Sequence, residues 1–358
     1  SFVCEYGCWA YSIDEYYSYA LEHAQNDEEA TFTAKHYGAY LLDKSHFKAA
    51  ENLATEYAKK GISKEAQNAM AQLLSQALMH QLQIPYDSKK LEKTFELQNA
   101  CIAFYEERSL FINAGLLLMD AAETAGYKGD YPTANTLINK AIHYFKEEQI
   151  TEFMGEASLK KATLLYAWSK NGNPQYYKPA INAFQDSLKI FKKHNAPEKY
   201  GEIQHKLALI YSEIPVSPDE KPIWTAFCAS AFKEALEIYS EEKHPYEFAM
   251  VCHNYATALI NFPEAKLHNN LSKAFDLFEN ALKIRTAKAY PIERSLSLLN
   301  QMELLWQMHN ADKDEEEKHF NLMQQKANEV LQSASEQHLI ERAQEHLNAL
   351  NNLKITLN

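Results

Sequence analysis

Two lysines and two asparagines, Lys160, Lys206, Asn254 and Asn300, return along the chain roughly every 46 residues. A lysine offers a point charge with rotatable donors, and an asparagine offers the acceptor and donors that pair with a peptide group. His205 and His253 stand immediately before the second and third of these. Brought onto one face, such residues would hold a peptide segment that is acidic or ends in a carboxylate. Asp120 occupies the corresponding place one repeat earlier, and Met119, Leu159 and Leu299 stand where the histidines do elsewhere. The plainer alternative is a set of polar residues on a half-exposed helix face.

Other chemistry finds less support. The sequence has no glycine-rich phosphate loop, no Gly-x-Ser-x-Gly and no His-Glu-x-x-His. His338, Glu341, Glu345 and His346 lie close on one predicted helix, where exposed polar residues of a terminal repeat explain them better than a metal site. Acid–base work by His205 and His253 lacks a nucleophile or an orienting carboxylate in the sequence nearby. Cys4-x-x-x-Cys8 has no second ligand pair of matching spacing and reads as packing around Trp9. The odd, scattered set of five cysteines implies no disulfide framework. The expectation is a protein that is not an enzyme and has no cofactor, no metal and no catalytic residue.

The ladder needs regularly spaced helices to carry it. A second pattern supplies them: Ala134-x3-Ile138-x2-Ala141, Ala180-x3-Phe184-x2-Ser187, Cys228-x3-Phe232-x2-Ala235 and Ala274-x3-Phe278-x2-Ala281. Small, large apolar and small residues at these offsets share one helix face. The small ends admit a neighbouring helix and the bulky residue fills the gap. Its return predicts stacked helical hairpins, an all-α, right-handed α-solenoid of about eight hairpins whose first helices line an inner groove. Only 9 Gly and 11 Pro punctuate the 358 residues, as long helices require. Pro132, Pro245 and Pro291 sit where a first-turn proline is tolerated. Pro215–Pro222 reads as the longest irregular stretch, an insertion within one hairpin. We expect divergent N-terminal helical repeats over 1–106, or a separate helical subdomain there. Core repeats follow over 107–310, and a polar capping hairpin over 311–358 opens with the acidic run Asp312–Glu317.

The net charge of −12 argues against nonspecific nucleic-acid binding. No apolar run approaches a membrane span, and Ser1–Trp9 has no signal-peptide pattern. The expected location is cytoplasmic, with a protein or peptide partner and neither nucleic acid nor membrane. Tyr16-Tyr17-x-Tyr19 suits either internal packing or dimerisation. The missing initiator Met points to a trimmed chain or a segment of a longer protein.

These residues resemble the tetratricopeptide-repeat superfamily. Leu207-Ala208-x2-Tyr211 matches the Leu-small-x2-Tyr pattern of its first helices, Tyr255-Ala256-x2-Leu259 matches in type, and Gly129-Asp130-Tyr131 resembles its interhelical turn. His244-Pro245-x-Glu247-x-Ala249 and Tyr290-Pro291-x-Glu293-Arg294 are similar to the long repeats of kinesin-light-chain-like proteins and of bacterial proteins fused to CHAT proteases. No protease segment accompanies them. The spacing is also similar to that of peptide-responsive Rap-type regulators, though no motif assigns the chain to them. The resemblance implies a protein-binding scaffold, and its carboxylate-clamp logic fits Lys160, Lys206, Asn254 and Asn300. A ligand-responsive sensor and the repeat module of a larger effector are the alternatives.

Overall fold

The computed structural model describes residues 12–60, 62–263, 269–308 and 313–357, the last few as backbone alone. Among these the chain is all-α, with sixteen α-helices, one short 3-10 turn at Pro174–Tyr176 and no strand. They fall into two compact units, one up to Ile190 and one from Phe191. The first holds α1 (Ile13–Glu22), α2 (Asp27–Asp43), α3 (Phe47–Tyr57), α4 (Lys64–His80), α5 (Ser88–Glu107), α6 (Phe111–Tyr127), α7 (Tyr131–Glu147), α8 (Thr151–Lys170) and α9 (Tyr177–Ile190). The second holds α10 (Pro197–Glu213), α11 (Lys221–Ile238), α12 (Pro245–Ile260), α13 (Asn270–Ile284), α14 (Pro291–Gln307), α15 (Lys313–Ser333) and α16 (Gln337–Leu357). Within each unit every helix packs on the next, with α6–α7, α8–α9, α10–α11 and α12–α13 the most extensive pairs. Each unit is a stack of helical hairpins.

The small–large–small signature builds the core. Its residues lie on α7, α9, α11 and α13, and every one of these side chains has 0% exposure. Burying a phenylalanine such as Phe184, Phe232 or Phe278 contributes about 1.5–3 kcal/mol. Close approach is visible at the glycines. A Cβ on Gly115 would sit 2.6 Å from Phe145 Cε1, and one on Gly38 would sit 2.2 Å from Leu73 Cδ2.

The turns of the first unit repeat one device. After α2, α5, α6 and α7 a residue adopts positive φ: Ser45, Ser109, Gly129 and Gln149. The amide that follows reaches back to close the helix, as from Leu110 N to Tyr105 O (2.9 Å) and from Asp130 N to Ala125 O (2.9 Å). These are Schellman-type caps. Glycine suits the position best, and Gly129 (φ 77°) is the one that uses it. In the second unit the first helices instead open on proline, at Pro197, Pro245 and Pro291.

One local expectation needs correction. Pro215–Pro222 is shorter than expected: α11 starts at Lys221, which leaves 214–220 between α10 and α11, no longer than 81–87 between α4 and α5. Residues 313–357 form α15 and α16, and Asp314, Glu315 and Glu316 occupy the first turn of α15. Tyr17 stacks on Tyr37 at 4.9 Å, whereas Tyr16 and Tyr19 are exposed. Cys4, Cys8, Trp9, Gly61 and Asp312 lie outside the described residues. Cys101, Cys228 and Cys252 are free, and burial pushes their thiols up to about 11, 12 and 12. No helix among the described residues is long and apolar enough to cross a membrane.

Candidate functional site

In the second unit α10, α12, α14 and α16 form a row in which each member contacts the next. The ladder residues fall on this row and bond from helix to helix. Asn254 Nδ2 on α12 donates to His205 Nε2 on α10 at 2.8 Å. Asn300 Nδ2 on α14 donates to Thr257 Oγ1 on α12 at 3.2 Å. Asn300 Oδ1 accepts from Arg342 Nη2 on α16 at 3.3 Å, and Arg342 is also paired with Glu303. Trp306 Nε1 donates to His346 Nδ1 at 3.0 Å. The residues that share a face because of their spacing are thus tied to one another by polar bonds between neighbouring first helices.

The histidines are held neutral. His205 is buried, and burial together with the positive charge of Lys206 lowers it to about 4. Its bond from Asn254 requires an unprotonated Nε2. His253 is lowered to about 3, by desolvation first and then by Arg285. His253 Nδ1 lies 3.0 Å from Ser297 Oγ. Ser297 Oγ donates to Glu293 O (2.9 Å) and accepts from Arg285 Nη1 (2.8 Å). Its single proton is therefore committed, so Nδ1 of His253 is the donor in that contact. Neutral, hydrogen-bonded imidazoles suit recognition and positioning. Neither ring has a carboxylate at an ion-pair distance among the described residues.

Lys206 pairs with Glu202 of its own helix at 3.0 Å. Lys160 belongs to the first unit, on α8, where it pairs with Glu123 of α6. Asp120 stands one turn away on α6, and burial raises its carboxyl to about 6 against the opposing influence of Lys160. Both lysines keep about a third of their side-chain surface in solvent. The structure therefore links His205 with Asn254 directly, and reaches His253 and Asn300 through Ser297 and Thr257. Lys206 pairs within its own helix with Glu202, and Lys160 is in the other unit.

Sequence reading missed four residues of this network: Thr257, Ser297, Arg285 and Arg342. Two had a usable signal, since Thr257 lies one turn after Asn254 and Ser297 one turn before Asn300. Among the described residues no cluster of His, Cys, Asp and Glu has the geometry to hold a metal ion.

No family model matches the chain, and no curated protein sequence matches it. Similarity to solved structures is found at the level of fold. A Rap protein complexed with Competence and Sporulation Factor is similar over 96% of this chain and 80% of its own, at 14% identity and a TM-score of 0.50. The TPR domain of P58(IPK) is 14% identical over 90% of this chain and 79% of its own (TM-score 0.29). A circular tandem repeat protein is 11% identical over 90% and 75% (TM-score 0.23). At this identity the likeness is one of fold alone, an all-α array of helical hairpins.

Proposed function

We propose that this chain is a protein-interaction scaffold that captures a peptide or helical segment of a partner along the row of first helices. In the second unit His205, Lys206, His253, Asn254 and Asn300 would make the contacts. One observation carries the reading. Asn254 commits one of its four hydrogen-bonding positions and stays half-exposed, so its carbonyl and second N–H remain for a peptide group. Lys206 beside it supplies a partly exposed cation for an acidic or C-terminal segment. The test is affinity capture with mass spectrometry, comparing wild type with a Lys160→Ala, Lys206→Ala, Asn254→Ala, Asn300→Ala variant that stays helical by circular dichroism. Capture of a partner by wild type and its loss in the variant support the reading. Equal capture by both places binding elsewhere.

The second reading is a ligand-responsive sensor. It is favoured by the bonds that join α10 to α12 and α12 to α14, because a ligand that draws Asn254 from His205 or Asn300 from Thr257 would release one helix from the next. The Rap protein to which the fold is similar was solved with a bound factor. A sensor changes its small-angle scattering profile when ligand binds, and a plain scaffold does not.

A further inference from the structure

The hairpin signature has a companion position eleven residues after its first small residue. In three hairpins it is aromatic and buried: Phe145, Phe191 and Tyr239. In the fourth it is Arg285, only 6% exposed. A cation thus stands in a slot that its repeats fill with a ring.

Only one side of this guanidinium is satisfied. Nη1 donates to Ser297 Oγ at 2.8 Å and to Glu293 O at 3.3 Å. Nε is buried with no hydrogen-bond partner. Nη2 makes no hydrogen bond, and no carboxylate pairs with Arg285, among the described residues. Nε–H and Nη2 form the lateral edge of the guanidinium, two parallel donors whose spacing matches a carboxylate. Desolvating a guanidinium with no paired carboxylate is costly, and Nε is one of the unsatisfied buried polar atoms of the unit. Glu293, in the first turn of α14, and then exposed Tyr246, in the first turn of α12, act on Arg285 electrostatically, although neither is bonded to it through its side chain. The guanidinium therefore lies beneath the surface there rather than deep in the core. Ser297 connects it to His253 and so to the row of first helices.

We propose that the lateral edge of Arg285 is the anchor for a carboxylate of the captured segment. This deepens the scaffold reading and rests on it. The carboxylate is either an aspartate or glutamate side chain or a chain terminus.

The experiment uses the intact protein with arginine side chains labelled with 15N. The Arg285 Nε–H resonance is assigned by side-chain correlation in wild type, so no variant has to fold. N-acetylaspartate amide presents a side-chain carboxylate, N-acetylglycylglycine presents a terminal one, and N-acetylasparagine amide is the neutral control. The expected result is a saturable shift of this resonance with a carboxylate probe and none with the control. Response to the aspartyl probe alone selects a side chain, and response to the glycylglycine probe alone selects a terminus. Response to both supports the carboxylate class. Arg285→Lys, where it folds, should weaken the probe about tenfold or more by removing the fork while keeping the charge. If neither carboxylate shifts the resonance beyond the control, the proposal is overturned and internal water satisfies the edge. That outcome with capture intact removes Arg285 alone. Loss of the capture result with the shift intact removes the scaffold reading alone.

Discussion

Acid should loosen the second unit through His205. The ring is buried, it accepts from Asn254 Nδ2, and its folded-state value is about 4 against an ordinary 6.5. The unfolded chain therefore takes up a proton near 6.5 while the folded chain resists until about 4. Stability from the neutral ring is fully present above 6.5 and is lost as pH falls toward 4. Going from neutral pH to about pH 4.5, this one group should cost about 2 kcal/mol. His205→Gln keeps an acceptor for Asn254 and does not titrate. The assay is urea unfolding followed by the fluorescence of Trp224 and Trp306, with the other tryptophans replaced by phenylalanine. The contribution of His253 is common to both proteins and cancels in the comparison. Wild type should lose about 2 kcal/mol more than His205→Gln over that pH interval. Equal losses would refute the assignment of His205 as a buried, neutral group.

Three further predictions concern the scaffold. Phe232→Ala removes a fully buried ring that stacks on Tyr255 at 4.8 Å, and should cost about 3–5 kcal/mol in chemical denaturation. Gly115→Ala places a Cβ 2.6 Å from Phe145 Cε1, and should lower the stability of the first unit by about 1–3 kcal/mol. Asp120 is disfavoured as a carboxylate, with a folded value of about 6 above its ordinary 3.8. Asp120→Asn should therefore raise the urea midpoint of the first unit above pH 6 and leave it unchanged below 3.8.

The hairpin core was legible because four second helices repeat small–large–small side chains that all reach full burial. The helix starts at Pro132, Pro245 and Pro291 were legible because a first-turn proline has one reading. The first hundred residues were harder for a physical reason. On α5 the buried face runs Leu91, Thr94, Gln98, Cys101 and Ile102, so buried polar side chains interrupt the apolar period. Thr94 recovers its cost by donating to Lys90 O, a local bond that leaves no periodic trace. At the candidate site, spacing placed Asn254 and Asn300 on one face but did not show what they bond. The bond of Asn254 to His205 joins residues 49 apart, and nothing local encodes it. Arg285 did carry a signal, an arginine at a position its repeats fill with Phe145, Phe191 and Tyr239. It emerges only when the signature is extended past its third residue.

The central claim is capture of a peptide by the row α10–α12–α14–α16. It is tested most directly by selecting binders to the intact protein from a peptide display library. Affinities of the selected peptides are then measured by fluorescence anisotropy against wild type and a folded Lys206→Ala, Asn254→Ala, Asn300→Ala variant. The account predicts acidic or carboxylate-terminated peptides that bind the variant at least about tenfold more weakly, the loss of one to two charge-assisted hydrogen bonds. Selected peptides that bind both proteins equally would contradict it, and would move recognition to another surface, such as the exposed side chains of Ile223 and Phe227 on α11.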